Sequence, residues 1–231
     1  MGIPKEWQEW RQARLAAVTS AQGNLSLIAS HWESGGEALT IEGALKGQPP
    51  TVVATREERK NFKGGVTDRG IRLWDSKSEA IRSFETIDAY PYDADWVVKA
   101  KFIPHKSAQP VPFEYAREKK ETRDLAVPGD IKANIGGVDY SLSAFDDEGT
   151  LILVFADPTN GTESYPAGRF LIVKRDSDSE DVILDFNRAY VPPCSFSAYY
   201  NCPLPPAQNR IHVRVEAGER NPIFRNGYQI H

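Results

Sequence analysis

The sequence predicts a mainly β protein, a single-domain antiparallel β-barrel or sandwich with an N-terminal α-helix packed on it. Three observations lead to this prediction. Only residues 4–19 have apolar side chains at helical spacing. From residue 25 onward, short segments alternate between apolar and polar residues, and turns containing Gly or Pro separate these segments. With 231 residues, 40% of them hydrophobic, the chain can bury one core, and we expect one domain over residues 1–231.

The predicted helix lies within residues 1–20. Pro4 suits its first position, because proline lacks the N–H group that the start of a helix leaves unpaired. Spacings of three and four residues define one apolar face, made of Ile3, Trp7, Trp10, Ala13 and Ala17. We expect both tryptophans to pack onto the β-body, which covers residues 25–231.

The first half of the β-body contains short strand candidates with period-two patterns. They are residues 25–32, 38–42, 51–55, 71–75, 95–104, 113–115 and 122–127. In the segment 95–104 the apolar side chains of Trp96, Val98, Ala100 and Phe102 share one face. The opposite face carries Val97, Lys99 and Lys101.

The second half of the β-body has the clearest organisation. Gly136-Gly137 predicts a two-residue hairpin turn, because both central residues of such a turn need positive φ. The flanking strands are predicted at 131–135 and 138–145, and a meander continues through 150–156, 168–175 and 182–187. A last strand is predicted at 212–217.

Composition excludes several classes of function. The net charge is −4, and acidic and basic residues alternate, whereas nucleic-acid binding needs a clustered basic surface. No apolar run approaches the length of about 18 residues that a membrane helix needs. The first residues have no apolar segment of the kind found in secretory signals. We therefore expect a cytoplasmic protein of a bacterium, with Cys194 and Cys202 as thiols.

The most distinctive segment is the loop 188–206. It contains two Pro-Pro pairs and both cysteines, and proline lowers the entropy that the unfolded chain loses when such a loop is ordered. A loop of this length without periodicity is typical of a functional element. We therefore place the candidate site at this loop and at the strand ends next to it.

These residues also carry a resemblance to a known family. The motifs are Tyr165-Pro166-Ala167-Gly168-Arg169-Phe170-Leu171, Leu184-Asp185-Phe186-Asn187-Arg188-Ala189-Tyr190, Pro192-Pro193-Cys194, Cys202-Pro203-Leu204-Pro205-Pro206, Asn209-Arg210 and Glu216-Ala217-Gly218-Glu219. They resemble the bacterial domain-of-unknown-function family 1684 (DUF1684), and the N-terminal Trp-containing helix and the segment 25–32 fit as well. Val191 departs from the family pattern, which usually has Asn there. The resemblance implies no established reaction, cofactor or substrate.

Arg169, Asp185 and Asn187 form the first candidate site. Asp185 and Asn187 share one face of a predicted strand, and Arg169 begins the strand that we expect beside it. An arginine with these partners could clamp a carboxylate or phosphate through two parallel hydrogen bonds. The alternative is an internal salt bridge that holds the Pro-rich loop on the sheet.

The remaining candidates are weaker. Cys194 and Cys202 are separated by seven residues, a spacing that does not suit zinc, and a catalytic cysteine would need a basic partner such as His31. His31 precedes the predicted flexible segment Ser34-Gly35-Gly36. Glu216 ends the predicted last strand, and Tyr165 and Tyr190 could supply a stacking wall. We expect no cofactor and no metal.

The sequence therefore predicts a cytosolic module that binds a small, anionic ligand at the mouth of a β-barrel. Its candidate ligand-binding residues are Arg169, Asp185, Asn187, Tyr165, Tyr190, Cys194, His31 and Glu216. A first alternative is a hydrolase or transferase that uses Cys194 or His31 with Asp185 or Glu216. A second alternative is a structural or partner-binding domain without a pocket. We expect no nucleic-acid or membrane partner, and the oligomeric state is open.

Overall fold

A computed structural model describes residues 2–34, 38–147, 149–176 and 178–230, with the side chains of residues 118–121 left out. The predicted Gly35-Gly36 turn therefore lies outside the described residues. The chain divides into two compact units. The first unit consists of Met1–Trp7, Ile87–Pro192 and Cys202–Asn221, and the second of Gln8–Thr86, Pro193–Asn201 and Pro222–His231. Whether the chain is a single domain stays a prediction.

Strands make up most of the regular structure. The helices are α1 (Lys5–Val18), α2 (Ile41–Leu45) and α3 (Glu79–Ser83). The strands are β1 (Leu27–Trp32), β2 (Val52–Lys60), β3 (Val66–Asp75), β4 (Phe84–Ala89), β5 (Val97–Tyr115), β6 (Glu118–Ile135), β7 (Val138–Asp147), β8 (Thr150–Phe155), β9 (Arg169–Val173), β10 (Asp181–Asp185) and β11 (Glu219–Phe224). Strands β4 and β11 pair as a two-stranded sheet, and each contributes residues to both units.

The first unit is built on a six-stranded antiparallel sheet with the order β10-β5-β6-β7-β8-β9. Its two edge strands, β9 and β10, contact each other, so the sheet curls into a half-barrel. The inward side chains, among them Phe102, Ile131, Leu153 and Leu184, are almost completely buried. The mainly β fold, with a curled antiparallel sheet and an N-terminal helix, confirms the predicted fold class.

The alternation in residues 95–104 is confirmed. Ala100 and Phe102 are buried in the core, whereas Val97, Lys99 and Lys101 are exposed. The segments predicted as four separate strands between residues 95 and 135 belong to only two long strands, β5 and β6. They appeared separate because a bulge between Pro104 and Gln109 interrupts the period-two pattern.

The hairpin turn at Gly136-Gly137 is confirmed, with φ of 59° and 84°. The predicted order of the meander is wrong at its end, because β10 pairs with β5, from Asp181 opposite Lys101 to Asp185 opposite Val97, and does not pair with β9. The segment 212–217, predicted as the last strand, has no strand assignment. The last strand is β11, which the sequence analysis missed.

Helix α1 confirms the predicted helix, but the predicted face is shifted. Trp7 and Trp10 are half-buried, whereas Ala13 and Ala17 are exposed and Val18 is buried. The Trp7 indole donates a hydrogen bond to the carbonyl oxygen of Asn187 at 3.0 Å. Trp7, Trp10, Leu15 and Val18, rather than the small alanines, therefore define the covered side of this helix.

The second unit contains a three-stranded antiparallel sheet with the order β1-β3-β2. Val52, Ile71 and Leu73 form its buried cluster. The strand predicted at residues 38–42 is wrong, because helix α2 begins at Ile41. Thr40 caps this helix, since its hydroxyl accepts a hydrogen bond from the Gly43 N–H.

Candidate functional site

Arg169, the first residue of β9, is completely buried in the first unit. Its Nη2 donates to Asp157 Oδ1 at 2.9 Å and to the Val215 carbonyl at 2.7 Å. Its Nη1 donates to the carbonyl oxygens of Ala217 and Glu219. One guanidinium group thus holds a carboxylate and three peptide carbonyls, and we call Arg169 together with Asp157 the arginine centre.

Asp157 is the first residue of the turn after β8, and like Arg169 it forms several hydrogen bonds. Its carboxylate accepts hydrogen bonds from the Thr159 hydroxyl at 3.0 Å and from the Val215 N–H at 2.8 Å. The side chains of Arg169 and Asp157 both have 0% relative exposure. A buried ion pair is stable only when further hydrogen bonds satisfy both groups, and here the turn and the segment 212–217 supply them.

The arginine centre explains why residues 212–217 are not a strand. Val215 and Ala217 are buried, and Arg214 and Glu216 are exposed, as the period-two pattern predicted. The peptide groups of Val215 bond to the side chains of Asp157 and Arg169 instead of to another strand. Side chains thus replace the strand partner that the pattern led us to expect.

The position of Arg169 contradicts the predicted ligand clamp. Burial lowers the pKa of the guanidinium, and the neighbouring Asp157 charge opposes this effect. Among the described residues, Arg169 Nε has no hydrogen-bond partner. With no exposed surface, this side chain cannot meet a ligand in the described conformation. An internal salt bridge is present, but its partner is Asp157, and it holds the segment 212–217 instead of the Pro-rich loop.

Asp185 and Asn187 do not contact Arg169 but form a separate cluster. Asp185 Oδ1 accepts from the backbone N–H of Asn187 at 3.2 Å, and its Oδ2 accepts from Arg188 Nε at 3.1 Å. Asn187 is 1% exposed and exchanges two hydrogen bonds with the backbone of Asp93. Asp185 is the last residue of β10, and Asn187 lies in the short 3₁₀ turn Phe186–Arg188 that follows. Their hydrogen bonds hold the start of the loop 188–206 in place.

The other family-like motifs also pack against one another in the first unit. Gly168 has φ of +86°, and a Cβ at this position would lie 2.6 Å from the Phe155 carbonyl oxygen. At Gly218, where φ is +78°, a Cβ would lie 2.6 Å from the Ala189 carbonyl oxygen. The backbone of these motifs is therefore closely packed, and only glycine fits at both positions.

Position 191, where the family pattern usually has Asn, is occupied by a completely buried valine. Its N–H donates to Glu219 Oε2 at 2.9 Å, and the Glu219 side chain is buried as well. The valine side chain has no polar group, and the residue contacts Glu219 through its backbone N–H.

Tyr165, Tyr190 and Glu216 complete the predicted set within the first unit. The backbone of Tyr190 exchanges two hydrogen bonds with Phe170, and their rings meet edge to face at 5.9 Å. Tyr165 is half-buried, and its N–H donates to the Arg220 carbonyl. Glu216 is exposed and accepts a hydrogen bond from Arg214 at 2.9 Å. These contacts stabilise the loops around β9.

Cys194 and His31 lie in the second unit, whereas Cys202 lies in the first. Both cysteines are buried thiols. His31 is exposed on β1, and within the described part of the chain its side chain has no hydrogen bond or ion pair. The described residues contain no group of three or more His, Cys, Asp or Glu side chains that could hold a metal ion.

The first unit also has an open groove on the exposed face of its sheet, with a volume of about 600 Å³. It runs over strands β10, β5, β6 and β7, and its lining residues are Lys99, Ala100, Lys101, Lys132, Ala133, Asn134, Asp139, Tyr140 and Asp181. We call it the lysine groove. The strand register places Lys101 directly opposite Lys132, between Asp181 on β10 and Ser141 on β7.

The charges of the lysine groove are only partly compensated. Lys101 Nζ contacts Asp181 at 2.7 Å, and this carboxylate raises the pKa of the Lys101 ammonium. Lys132 Nζ donates to the neutral Ser141 hydroxyl at 2.8 Å. Lys99 has no hydrogen-bond or ion-pair partner within the described residues. Asp139 accepts a hydrogen bond from the Asn134 amide at 2.7 Å, and Glu180 adds a further negative charge near Lys101.

The sequence predicts that Lys99 and Lys101 share one face of a strand, but it does not reveal that they line a groove. The decisive fact is the register that brings Lys132 opposite Lys101, and a single sequence does not reveal which residues of two distant strands face each other. It missed Asp157 for a similar reason. The available signal was the compact turn Asp157-Pro158-Thr159-Asn160-Gly161, whose first carboxylate could point inward.

No helix among the described residues is both long enough and apolar enough to cross a membrane.

Comparison with solved structures gives a match to the uncharacterized protein from gene locus rrnAC0354 of Haloarcula marismortui. The two chains are 32% identical, and the match covers 60% of this chain and 77% of that chain with a TM-score of 0.49. None of the curated proteins matches this chain. The family described as "Protein of unknown function (DUF1684)" matches residues 82–220. This match includes more than half of the chain, together with the arginine centre and the lysine groove, and the chain therefore belongs to the DUF1684 family.

Proposed function

We propose that the first unit binds a small anionic ligand in the lysine groove. The observation that carries this proposal is the direct opposition of Lys101 and Lys132 on neighbouring strands, with Lys99 unpaired beside them. Directly opposite residues of an antiparallel pair have Cα atoms about 4.5–5.5 Å apart. Like charges on directly opposite residues destabilise a sheet. Lys101 Nζ turns to Asp181 and Lys132 Nζ turns to Ser141, and an anion between the two strands would attract both ammonium groups.

The groove replaces the barrel-mouth site that the sequence predicted around Arg169. The chemistry of the ligand stays the same, since both sites are basic, but the groove leaves its ammonium groups exposed to solvent. Its volume of about 600 Å³ is within the range of small-molecule sites. Three lysines line the groove, so charge would contribute to the affinity for an anion.

The two alternative functions have less support. A nucleophilic Cys194 would need access and a basic partner, but this thiol is 3% exposed, and the exposed His31 has no described contact to it. A purely structural role fits the arginine centre and the buried family motifs. It assigns no role to Lys99 and Lys132, whose ammonium groups contact no carboxylate among the described residues. The buried thiols support the proposal of a reducing, cytoplasmic location.

The test is a calorimetric and NMR titration of the full chain with orthophosphate, sulfate, malonate and citrate at constant ionic strength. We expect at least one anion to bind, with chemical-shift changes at Lys99, Lys101 and Lys132. Lys132→Ala should weaken this binding about tenfold, which corresponds to the loss of about 1.4 kcal/mol of interaction free energy. Lys106→Ala is the matched control, because Lys106 is an exposed lysine of the same strand β5 outside the groove.

Two results would contradict the proposal. One is the absence of any saturable anion binding by the wild-type chain. The other is binding that Lys106→Ala weakens as much as Lys132→Ala does, because this would indicate attraction by net charge instead of a site.

A further inference from the structure

The charges of the lysine groove are arranged in bands, and this arrangement restricts which anion fits. The basic residues lie on the two central strands, Lys99 and Lys101 on β5 and Lys132 on β6. The acidic residues lie on the two outer strands, Asp181 on β10 and Asp139 on β7. A positive band thus follows the direction of the strands, with a carboxylate on each side of it.

This banding sets the direction of an elongated anion. A ligand that lies across the strands would place its ends against Asp181 and Asp139 and be repelled by them. A ligand that lies along β5 meets Lys99 and Lys101 in succession. Their Cα atoms are two residues apart, which in a strand is about 6.5–7 Å. The groove therefore favours an anion with two neighbouring charged groups, aligned with β5.

The type of basic residue indicates the chemistry of those groups. The described lining contains lysines and no arginine. Arginine presents a planar fork that matches a carboxylate, whereas lysine presents a point charge with three donors, which is common in phosphate sites. A phosphoryl group offers three oxygens to ammonium groups that approach from different strands, and a carboxylate offers two oxygens in one plane.

Building on the proposed function, we infer that the ligand of the lysine groove carries two adjacent phosphoryl groups. One phosphoryl group is bound by Lys101 and Lys132, whose ammonium groups turn toward it from Asp181 and Ser141, and the second lies at Lys99. Ligands of this class include inorganic diphosphate and molecules that carry a diphosphate group. The shared chemistry is the diphosphate itself, so the simplest probe is inorganic pyrophosphate.

The experiment compares pyrophosphate with orthophosphate and with citrate by calorimetry, on the full chain at pH 7 and constant ionic strength. Citrate controls for total charge, because its three carboxylates give it a charge similar to that of pyrophosphate. We expect pyrophosphate to bind at least about tenfold more tightly than either of the others. Lys99→Ala should reduce the affinity for pyrophosphate to within about threefold of that for orthophosphate, while orthophosphate binding changes less than twofold. Lys106→Ala should change neither.

The outcomes separate this inference from the proposed function. Equal binding of citrate and pyrophosphate, with both weakened in Lys132→Ala, would overturn the diphosphate inference and leave the anion site standing. A pyrophosphate preference that persists unchanged in Lys99→Ala would also overturn it. If no anion binds at all, both the inference and the proposed function fail. A second titration uses a nucleoside diphosphate. If it binds more tightly than pyrophosphate, the ligand is a molecule that carries a diphosphate group and not inorganic diphosphate.

Discussion

The arginine centre and the lysine groove belong to the same six-stranded sheet, but they treat positive charge in opposite ways. Arg169 is completely buried, and Asp157 and three carbonyl groups occupy its donors. The lysines of the groove are exposed, two of them face each other, and Lys99 has no partner among the described residues. The first arrangement stabilises the fold, and the second leaves charged groups exposed at the surface.

The two regions differ in how their sequence motifs relate to their contacts. In the family-like motifs around Arg169, the residues Gly168, Phe170, Ala217 and Gly218 are buried, and the two glycines lie against backbone carbonyl groups, so packing constrains this part of the first unit. The lysines have no distinctive motif and stand out only when the strand register is known. An exposed basic cluster costs stability through repulsion, and a structural role alone gives no reason for it.

The largest effect is expected when the arginine centre is broken. Arg169→Ala should lower the free energy of unfolding by about 3–5 kcal/mol, because it leaves the Asp157 carboxylate buried without its counter-ion. Arg169→Lys should also destabilise, since one ammonium group cannot reach a carboxylate and several carbonyls arranged around a planar fork. Denaturant unfolding measures both changes.

The control for this prediction is the double variant Arg169→Met with Asp157→Leu. Removing both charges together should recover part of the loss, because no uncompensated ion remains. An Arg169→Ala protein that unfolds at the wild-type denaturant concentration would mean that the arginine centre is not a stabilising element. The first half of the comparison would then fail.

A smaller effect is expected at Gly218, which lies between two carbonyl groups that bind Arg169. Gly218→Ala places a Cβ 2.6 Å from one backbone oxygen, in addition to the strain of positive φ. Gly137→Ala is the matched control, because its φ is +84° and a Cβ there meets nothing within 4 Å. The left-handed conformation alone costs about 1–2 kcal/mol.

We therefore expect Gly137→Ala to lose about 1–2 kcal/mol and Gly218→Ala to lose about 1–3 kcal/mol more, as overpacking does in a close-packed interior. Thermal and denaturant unfolding of the two variants gives the difference directly. Equal losses at the two positions would show that the backbone around the arginine centre can adjust, and that this region is less rigid than its contacts indicate.

Much of the fold could be predicted from the sequence, because local patterns carried the information. The alternation in residues 95–104 identified the buried face of β5, and Gly136-Gly137 identified a hairpin. The prediction was wrong where long-range contacts decide the outcome. Residues 212–217 alternate like a strand but bond to the side chains of Arg169 and Asp157. Strand β10 pairs with β5 instead of with β9, and a local sequence pattern does not indicate which strand is the partner.

The anionic ligand of the candidate site stays a prediction. Of the residues predicted to hold it, Arg169, Asn187 and Cys194 are buried, Asp185, Tyr165 and Tyr190 are half-buried, and His31 and Glu216 are exposed. Asp185 ends its strand by bonding to Asn187 and Arg188, and so it does not approach Arg169. A motif rich in Arg, Asp and Asn predicts hydrogen bonding equally well inside a core and at a ligand site.

In the lysine groove the effects on stability should be much smaller. Lys132→Glu replaces repulsion across the strand pair by attraction to Lys101. We expect a rise in Tm of no more than about 2 °C, because both side chains are exposed and water screens the pair. The same variant should abolish anion binding. A fall in Tm would contradict the view that the opposed lysines destabilise the free protein.

The smallest effect on stability is expected from Lys99→Ala, and this makes it the sharpest test of the comparison. Lys99 is exposed and has no described hydrogen bond or ion pair, so removing its ammonium breaks nothing in the folded chain. Tm without ligand should therefore equal that of the wild type within error, in contrast to Arg169→Ala. In the presence of pyrophosphate, the wild type should melt at a higher temperature and Lys99→Ala should show a smaller shift, because at a fixed ligand concentration a tighter ligand stabilises the folded chain more. A clear loss of Tm without ligand would show that Lys99 contributes to the fold, and the groove would then belong to the same structural class as the arginine centre.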